Sequence, residues 1–496
     1  MAGELDLLVI FPNNRHRAYG ALMTEIAAIT PPVDAALLAA YARRGGLRAG
    51  LLDADQQNLS AAETAAKVKD LCPAVAVICT DFVNSGDVTK MAAASETLKA
   101  LKVAAPHVPV VLQGIVPSAY PQRMLEEEGA DYVCQGEPYQ PVLELVNHLR
   151  NHPDEKPLPS RGIQGIWARH GDRILSSSRV PLARPDTLPM TPWDLMPPSL
   201  YRAHHWHCFD DLKRRSPYAC IYTSFGCPYS CTYCSVNTVA GGPNYRPHSP
   251  EKVMEEIDLL VTKHGVRNIR ILDNVFTVRL DLVEKLCDLI IARGYDLNMW
   301  AYARVESVKN PDILVKMKKA GVNWLAYGIE AASERVRKAV EKDSSQKIID
   351  QAIEWTQKAG IAIVGNFIFG LPEDDHETMR MTLDMAKQYN FEWANFYFAM
   401  AYPGTALYDQ AVREGVELPK TWSGFGQYSA DAKPLPTKYL KSREIVKFRD
   451  AAFKEYYTNP AYLGMMEKRF GPDAVALIRK ILSMEVRRHH LPEAGT

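Results

Sequence analysis

The 496-residue chain lacks an excess of charge of either sign: Lys plus Arg number 58, and Asp plus Glu number 58. Nothing global therefore steers it toward nucleic acid or an acidic membrane surface. Long apolar runs are missing too. No stretch approaches the roughly 20 residues a spanning helix needs, and the apolar run at residues 7–11, behind an acidic start, is too short for a secretory signal. These absences predict a cytoplasmic protein with no membrane span and no nucleic-acid partner. No solenoid-type repeat is visible. Nine cysteines, an odd number in a chain without a secretion signal, argue against a disulfide scaffold. What is present is ordinary: a hydrophobic share of 47% and a charged share of 23% mark a soluble globular protein. The length predicts roughly three domains.

Residues 1–150 alternate short apolar runs with helix-length segments. Runs at 7–11, 49–52, 74–79 and 108–112 read as buried strands, and 33–44, 61–71 and 88–104 read as helices. This pattern predicts an α/β, doubly wound parallel sheet whose ligand crevice lies at the strand C-termini. Residues 151–215 are rich in proline, which forbids long helices. Trp167, Trp193, Tyr201 and Trp206 make them too apolar for a free linker, so an ordered connector with a small hairpin at 165–176 is expected. From residue 216 to 410 the alternation resumes, with strands at 218–224, 268–272, 298–303, 324–329, 362–369 and 393–398. Six such units predict a partial (β/α)6 barrel. A small, mainly helical region, 411–496, with helices at 442–457 and 473–488, completes the chain.

Gly226-Cys227-Pro-Tyr-Ser-Cys231-Thr-Tyr-Cys234 is the strongest local signal. Three thiolates on the loop after a strand can converge on one soft metal centre, and three protein ligands to a four-iron cube leave one iron open. A zinc site would want a second ligand pair, which His248 does not complete. Three histidines and a cysteine also stand together in His204-His205-Trp206-His207-Cys208. Adjacent residues of an extended segment point apart, so a packed polar lining is expected there rather than a second metal.

The cysteine spacing resembles that of the radical S-adenosylmethionine (SAM) enzymes. The resemblance implies that Cys227, Cys231 and Cys234 hold a 4Fe–4S cluster whose open iron chelates SAM, and that cleavage of SAM releases a 5′-deoxyadenosyl radical. Further segments match the family in order. Leu272-Asp273-Asn274 resembles the element that meets the SAM amino group. Trp300-Ala-Tyr-Ala-Arg304 resembles the one reaching its carboxylate or ribose, and Tyr327-Gly-Ile-Glu330 looks like the Gly-x-Glu element. Phe369-Gly-Leu-Pro-Glu373 and Tyr402-Pro-Gly-Thr405 match two further loops.

A doubly wound domain ahead of such a barrel is similar to the cobalamin-dependent subfamily, in which it is flavodoxin-like and binds cobalamin. Residues 30–45 resemble that subfamily's first helix. Val110-Val-Leu-Gln113-Gly114 resembles its Gly-Gly turn, with Gln113 replacing the first glycine, and Asp131-Tyr-Val-Cys-Gln-Gly136-Glu137 its Asp-x-Val-x-x-Gly-Glu segment. Thr80, Ser85 and Gln113 fall where polar groups would meet the corrin or its tail. His16 lacks the Asp-x-His-x-x-Gly context of a cobalt ligand, so no histidine is expected on the lower cobalt face.

The resemblance implies a methyltransferase that moves a methyl group from methylcobalamin to an unactivated carbon, or a phosphinate phosphorus, of a small-molecule substrate. An external electron donor such as flavodoxin or ferredoxin would be its partner. A cyclase, oxidase or rearrangement enzyme of the same architecture is the alternative. A cobalamin-binding sensor or carrier with a vestigial barrel is the alternative of another class, against which the intact cysteine loop counts. The methylthiotransferase subgroup is disfavoured, because Cys72, Cys79 and Cys134 resemble strand-core residues rather than cluster ligands.

Overall fold

The computed structural model describes residues 5–15, 17, 27–80, 88–152, 163–484 and 486–489. Among these, strands β1 (Leu7–Phe11), β2 (Ala49–Asp53), β3 (Val75–Cys79), β4 (Val110–Gln113) and β5 (Tyr132–Cys134) form a parallel sheet in the order β2-β1-β3-β4-β5. Helices cover both faces, which is why a strand such as Val-Ala-Val-Ile-Cys is buried at every position rather than alternating. The helix Ala61–Leu71 begins on a capping box between Ser60 and Glu63 and stops where Cys72 turns left-handed. The order reverses at β1, which pairs with both β2 and β3, and this opens a crevice at the C-terminal ends of those strands.

The hairpin expected in the connector forms as β6 (Ile166–His170) and β7 (Arg173–Leu175). It does not stay in the connector. It joins the first sheet through antiparallel pairing of β6 with β5, so the apolar face of Ile166 and Ala168 completes the first core.

Strand β8 (Tyr218–Ile221) begins the second sheet, and a two-residue ladder of β9 (Ser224–Phe225) and β10 (Arg246–Pro247) follows it. The remaining strands are β11 (Asn268–Ile271), β12 (Asn298–Ala303), β13 (Val322–Glu330), β14 (Ala362–Phe369) and β15 (Trp393–Phe398). They pair in parallel and in chain order from β8 to β15. The outer strands β8 and β15 are not bonded to each other, so the barrel is partial.

The histidine-rich connector segment closes the N-terminal end of this barrel. Trp206 packs edge-on against Trp300 at 5.1 Å and Trp324 at 5.3 Å, and His205 against Trp393 at 5.4 Å. His207 bonds the Asn298 carbonyl at 2.9 Å, and burial pushes its pKa down to about 3, so it is a neutral donor. These histidines are floor residues. Among the described residues no group of His, Cys, Asp or Glu converges to hold a single metal ion.

The helices Ser442–Tyr457, Pro460–Phe470 and Pro472–Leu482 follow the barrel. Tyr456, Tyr457 and Tyr462 are core residues whose hydroxyls bond the backbone of Phe391, Ala394 and Glu392 around the start of β15. The last helix ends at Leu482, six residues short of expectation. Beyond it Arg488 turns back to bond Asp450 and the Gln427 carbonyl, each at 3.0 Å. No helix among the described residues is long and apolar enough to cross a membrane.

Candidate active site

The loop after β8 opens on Gly226, at φ +81°, where an added Cβ would lie 2.1 Å from Asn244 Oδ1, so only glycine fits. Three neighbouring segments pin the loop. Asn244 N–H donates to the Cys227 carbonyl at 3.0 Å, Thr232 N–H to the Val340 carbonyl at 3.3 Å, and Leu407 N–H to the Thr232 carbonyl at 2.9 Å. Cys227, Cys231 and Cys234 line one wall of a cavity of about 450 Å³. Three thiols on one loop, all facing the same cavity, are the soft donor set that a polynuclear iron–sulfur cluster takes.

Arg304, at the end of β12 and 6% exposed, donates to Cys231 Sγ at 3.2 Å. It also pairs with Glu306 and lies 3.9 Å from the Tyr229 ring centre. Burial pulls its pKa down, but Glu306 and the Cys231 thiol more than offset this, so the guanidinium stays charged. Burial raises the Cys227 thiol.

Glu330 ends β13 in the left-handed region, φ +67°, beside a register shift in the pairing with β14. That conformation is strained for a residue with a side chain, and local bonds hold it. Tyr233 donates to its Oε1 at 3.0 Å and Lys342 Nζ approaches at 3.3 Å. Gly328 leaves room for this cluster: a Cβ there would lie 2.4 Å from Glu330 Oε1. Asn274, Arg304, Glu330 and Lys342 all line the cavity. Asp273 does not share their setting. It is 1% exposed and accepts bonds from Thr223 N–H at 2.7 Å, Thr223 Oγ1 at 2.6 Å and Ser224 Oγ at 2.5 Å, tying the end of β8 to that of β11.

In the first domain, Thr80 and Gly114 meet at the ends of β3 and β4. Thr80 donates to the Gln113 carbonyl from N–H at 2.8 Å and from Oγ1 at 3.1 Å. An added Cβ on Gly114, φ +135°, would fall 1.9 Å from Thr80 Oγ1. Gln113 is fully buried. Its Oε1 accepts from the Cys79 thiol at 3.1 Å, while its Nε2 has no partner among the described residues. An orphaned buried donor above a glycine-lined cradle fits a polar ligand at this strand end. Gly136 N–H bonds Ser118 Oγ at 3.1 Å. Both Glu137 oxygens are engaged, by Arg246 at 2.6 Å and Ala183 N–H at 2.7 Å, which fastens the first domain to the connector and to β10. Ser85 and His16 lie outside the described residues.

Lys342, Arg270, Asn366 and Asn395 were not read from the sequence, and neither was Thr89, which brings the first domain to the cavity. Only Glu306 carried a local signal, as the acid two positions after Arg304.

A three-cysteine loop at the mouth of a parallel partial barrel, joined to a doubly wound domain with a ligand cradle, defines a radical SAM enzyme with a second cofactor domain. Residues 221–386 match the Radical SAM superfamily and residues 19–146 the B12 binding domain. The chain is 26% identical over 461 residues to the uncharacterized methyltransferase PH0819 of Pyrococcus horikoshii, covering 92% of this chain and 94% of that one. It is 28% identical over 462 residues to the anaerobic magnesium-protoporphyrin IX monomethyl ester cyclase of Cereibacter sphaeroides, covering 91% and 71%. Among solved structures, the radical SAM methyltransferase TsrM of Kitasatospora setae, with cobalamin and a 4Fe–4S cluster bound, shares the fold. Its TM-score is 0.65 at 17% identity, over 92% of this chain and 89% of that one. The chain belongs to the cobalamin-dependent radical SAM enzymes.

Proposed function

We propose that this enzyme is a methyltransferase that places a methyl group on an unactivated carbon, or a phosphinate phosphorus, of a small molecule. Its cofactors in this reading are a 4Fe–4S cluster, SAM and cobalamin, with a flavodoxin or ferredoxin as electron donor. One observation carries it: the three cysteines and Thr89 of the first domain line the same cavity, so both halves of the chain open on one chamber.

Cys227, Cys231 and Cys234 would hold the cluster. Asn274, Arg304, Glu330 and Lys342 would bind the polar groups of SAM, while Thr80, Gln113, Gly114 and Gly136 would cradle cobalamin. When bound, the cluster supplies the electron that cleaves SAM, and cobalamin carries the methyl group. The chain's own work is placement and exclusion. The Tyr222 hydroxyl bonds Asp34 at 2.8 Å across the two domains and holds their relative position. The aromatic floor keeps water out of a chamber in which a radical would otherwise be quenched.

A second reading, cyclisation or oxidation without methyl transfer, is supported by the cyclase relative. Methyl-labelled SAM separates the two once the reduced enzyme turns over a substrate. Methyl transfer requires S-adenosylhomocysteine and 5′-deoxyadenosine together, with label in the product. Product with 5′-deoxyadenosine but neither S-adenosylhomocysteine nor label would establish the second reading instead.

A further inference from the structure

The bond from Arg304 to Cys231 ends a chain of contacts that begins in the segment after β13. There the buried Arg337 donates from Nε and Nη2 to the Ser344 carbonyl at 3.1 and 2.8 Å. Its Nη1 donates to the carbonyls of Ala331 and Ala332, each at 2.6 Å, so one guanidinium clasps both ends of the segment 331–344. Ser344 is 2% exposed, and its Oγ donates to Glu306 Oε2 at 2.9 Å. The other oxygen, Oε1, accepts from Arg304 Nε and pairs with its Nη2. Arg304 Nη1 is left to meet Cys231 Sγ, with the guanidinium lying over the Tyr229 ring. Burial pushes the Glu306 carboxyl up, but Arg304 and Lys342 beside it more than offset this, so both partners of the pair are charged.

Each oxygen of Glu306 has its own partner, so the Ser344 bond fixes the rotation of the carboxylate, and the carboxylate fixes the guanidinium plane. The terminal torsion of a glutamate is soft, so without the hydroxyl Glu306 is free to turn either oxygen to Arg304. Groups that orient the neighbours of a metal-bound atom tune the metal centre without touching it. We infer that Ser344 is a positioning residue for the redox chemistry of the cluster: through Glu306 it holds the Arg304 donor on Cys231 and so raises the cluster potential. A donor on a ligand sulfur favours the reduced state, from which the electron for SAM cleavage comes. Ser344 does not line the cavity, so its influence passes through Glu306. This inference rests on reading Cys231 as a ligand of the cluster in the proposed reaction.

Its test is a redox titration of the anaerobically reconstituted enzyme, followed by electron paramagnetic resonance, in wild type, Ser344→Ala, Arg304→Gln and the double variant, with iron counted in each. Ser344→Ala should keep its iron and lower the potential by about a third or more of the shift seen in Arg304→Gln. In the Arg304→Gln background, Ser344→Ala should add less than about a third of its effect in wild type, because the donor it positions is gone. A merely structural role would not give that pattern. Ser344→Ala at the wild-type potential overturns the inference, as does a shift of the same size in both backgrounds, or a loss of iron that makes Ser344 a folding residue. The signal of the reduced cluster in wild type keeps the two readings apart: it persists if only the Ser344 assignment is wrong and is missing if Cys227, Cys231 and Cys234 hold no cluster.

Discussion

Arg304 donates a hydrogen bond to the sulfur of Cys231 at 3.2 Å while its guanidinium pairs with Glu306. A donor on a ligand sulfur stabilises the more negative, reduced state of an iron–sulfur cluster. A charge-assisted bond of this kind contributes about 1 kcal/mol beyond a neutral one, which for one electron is on the order of 40 mV. Arg304→Gln should therefore keep its iron but lower the cluster potential by tens of millivolts. A redox titration followed by electron paramagnetic resonance measures this, and an unchanged potential would show that the bond does not persist with the cluster in place.

Replacing Cys227, Cys231 or Cys234 by alanine should abolish the cluster in each case, since two thiolates do not retain it. Iron content after anaerobic reconstitution and 5′-deoxyadenosine formation should both fall to background. A variant that makes 5′-deoxyadenosine at the parent rate would remove its cysteine from the ligand set.

Those three cysteines were legible because cluster ligation needs close spacing on one loop, and a strand-then-loop context is visible in linear sequence. The six barrel strands were legible for the same kind of reason: each is a short apolar run between helix-length segments. The cavity's other residues were not. Lys342 reaches Glu330 only because β13 and the turn after it fold back together, and Arg270 meets Trp300 only because β11 and β12 pair side by side. The hairpin of β6 and β7 was expected, yet its docking on β5 depends on an edge that local sequence does not reveal. Asp273 and Glu137 belong to family-like segments, and their carboxylates meet hydroxyl, amide and guanidinium donors from neighbouring loops.

Glu137 provides a way to separate support from binding. Its carboxylate bridges Arg246 and the Ala183 amide with little exposure. Glu137→Gln leaves Arg246 half-satisfied in a largely buried place, at a cost of about 1–3 kcal/mol. The melting temperature should drop by several degrees, while cobalamin affinity in equilibrium dialysis stays within about two-fold. Weakening of cobalamin binding by ten-fold or more, at unchanged melting temperature, would make Glu137 a direct cofactor contact.

Asp53 predicts how stability depends on pH. It ends β2, accepts the Tyr201 hydroxyl at 2.8 Å and the Gln56 amide at 2.9 Å, and burial raises its pKa to about 7. The folded state therefore holds a proton that the unfolded chain releases near pH 4. Stability from this group is fully present below about pH 4 and is lost progressively as pH rises to about 7, with no further change above that. Glu256, raised to about 7 by its own burial, adds a slope of the same sign. Asp53→Asn mimics the protonated side chain and should flatten part of this decline, so the variant gains on the parent between pH 5 and 8. Denaturant midpoints across that range measure the difference. Parallel curves for parent and variant would mean that Asp53 is ionised in the folded protein, and that the Tyr201 bond joins a charged carboxylate to the connector.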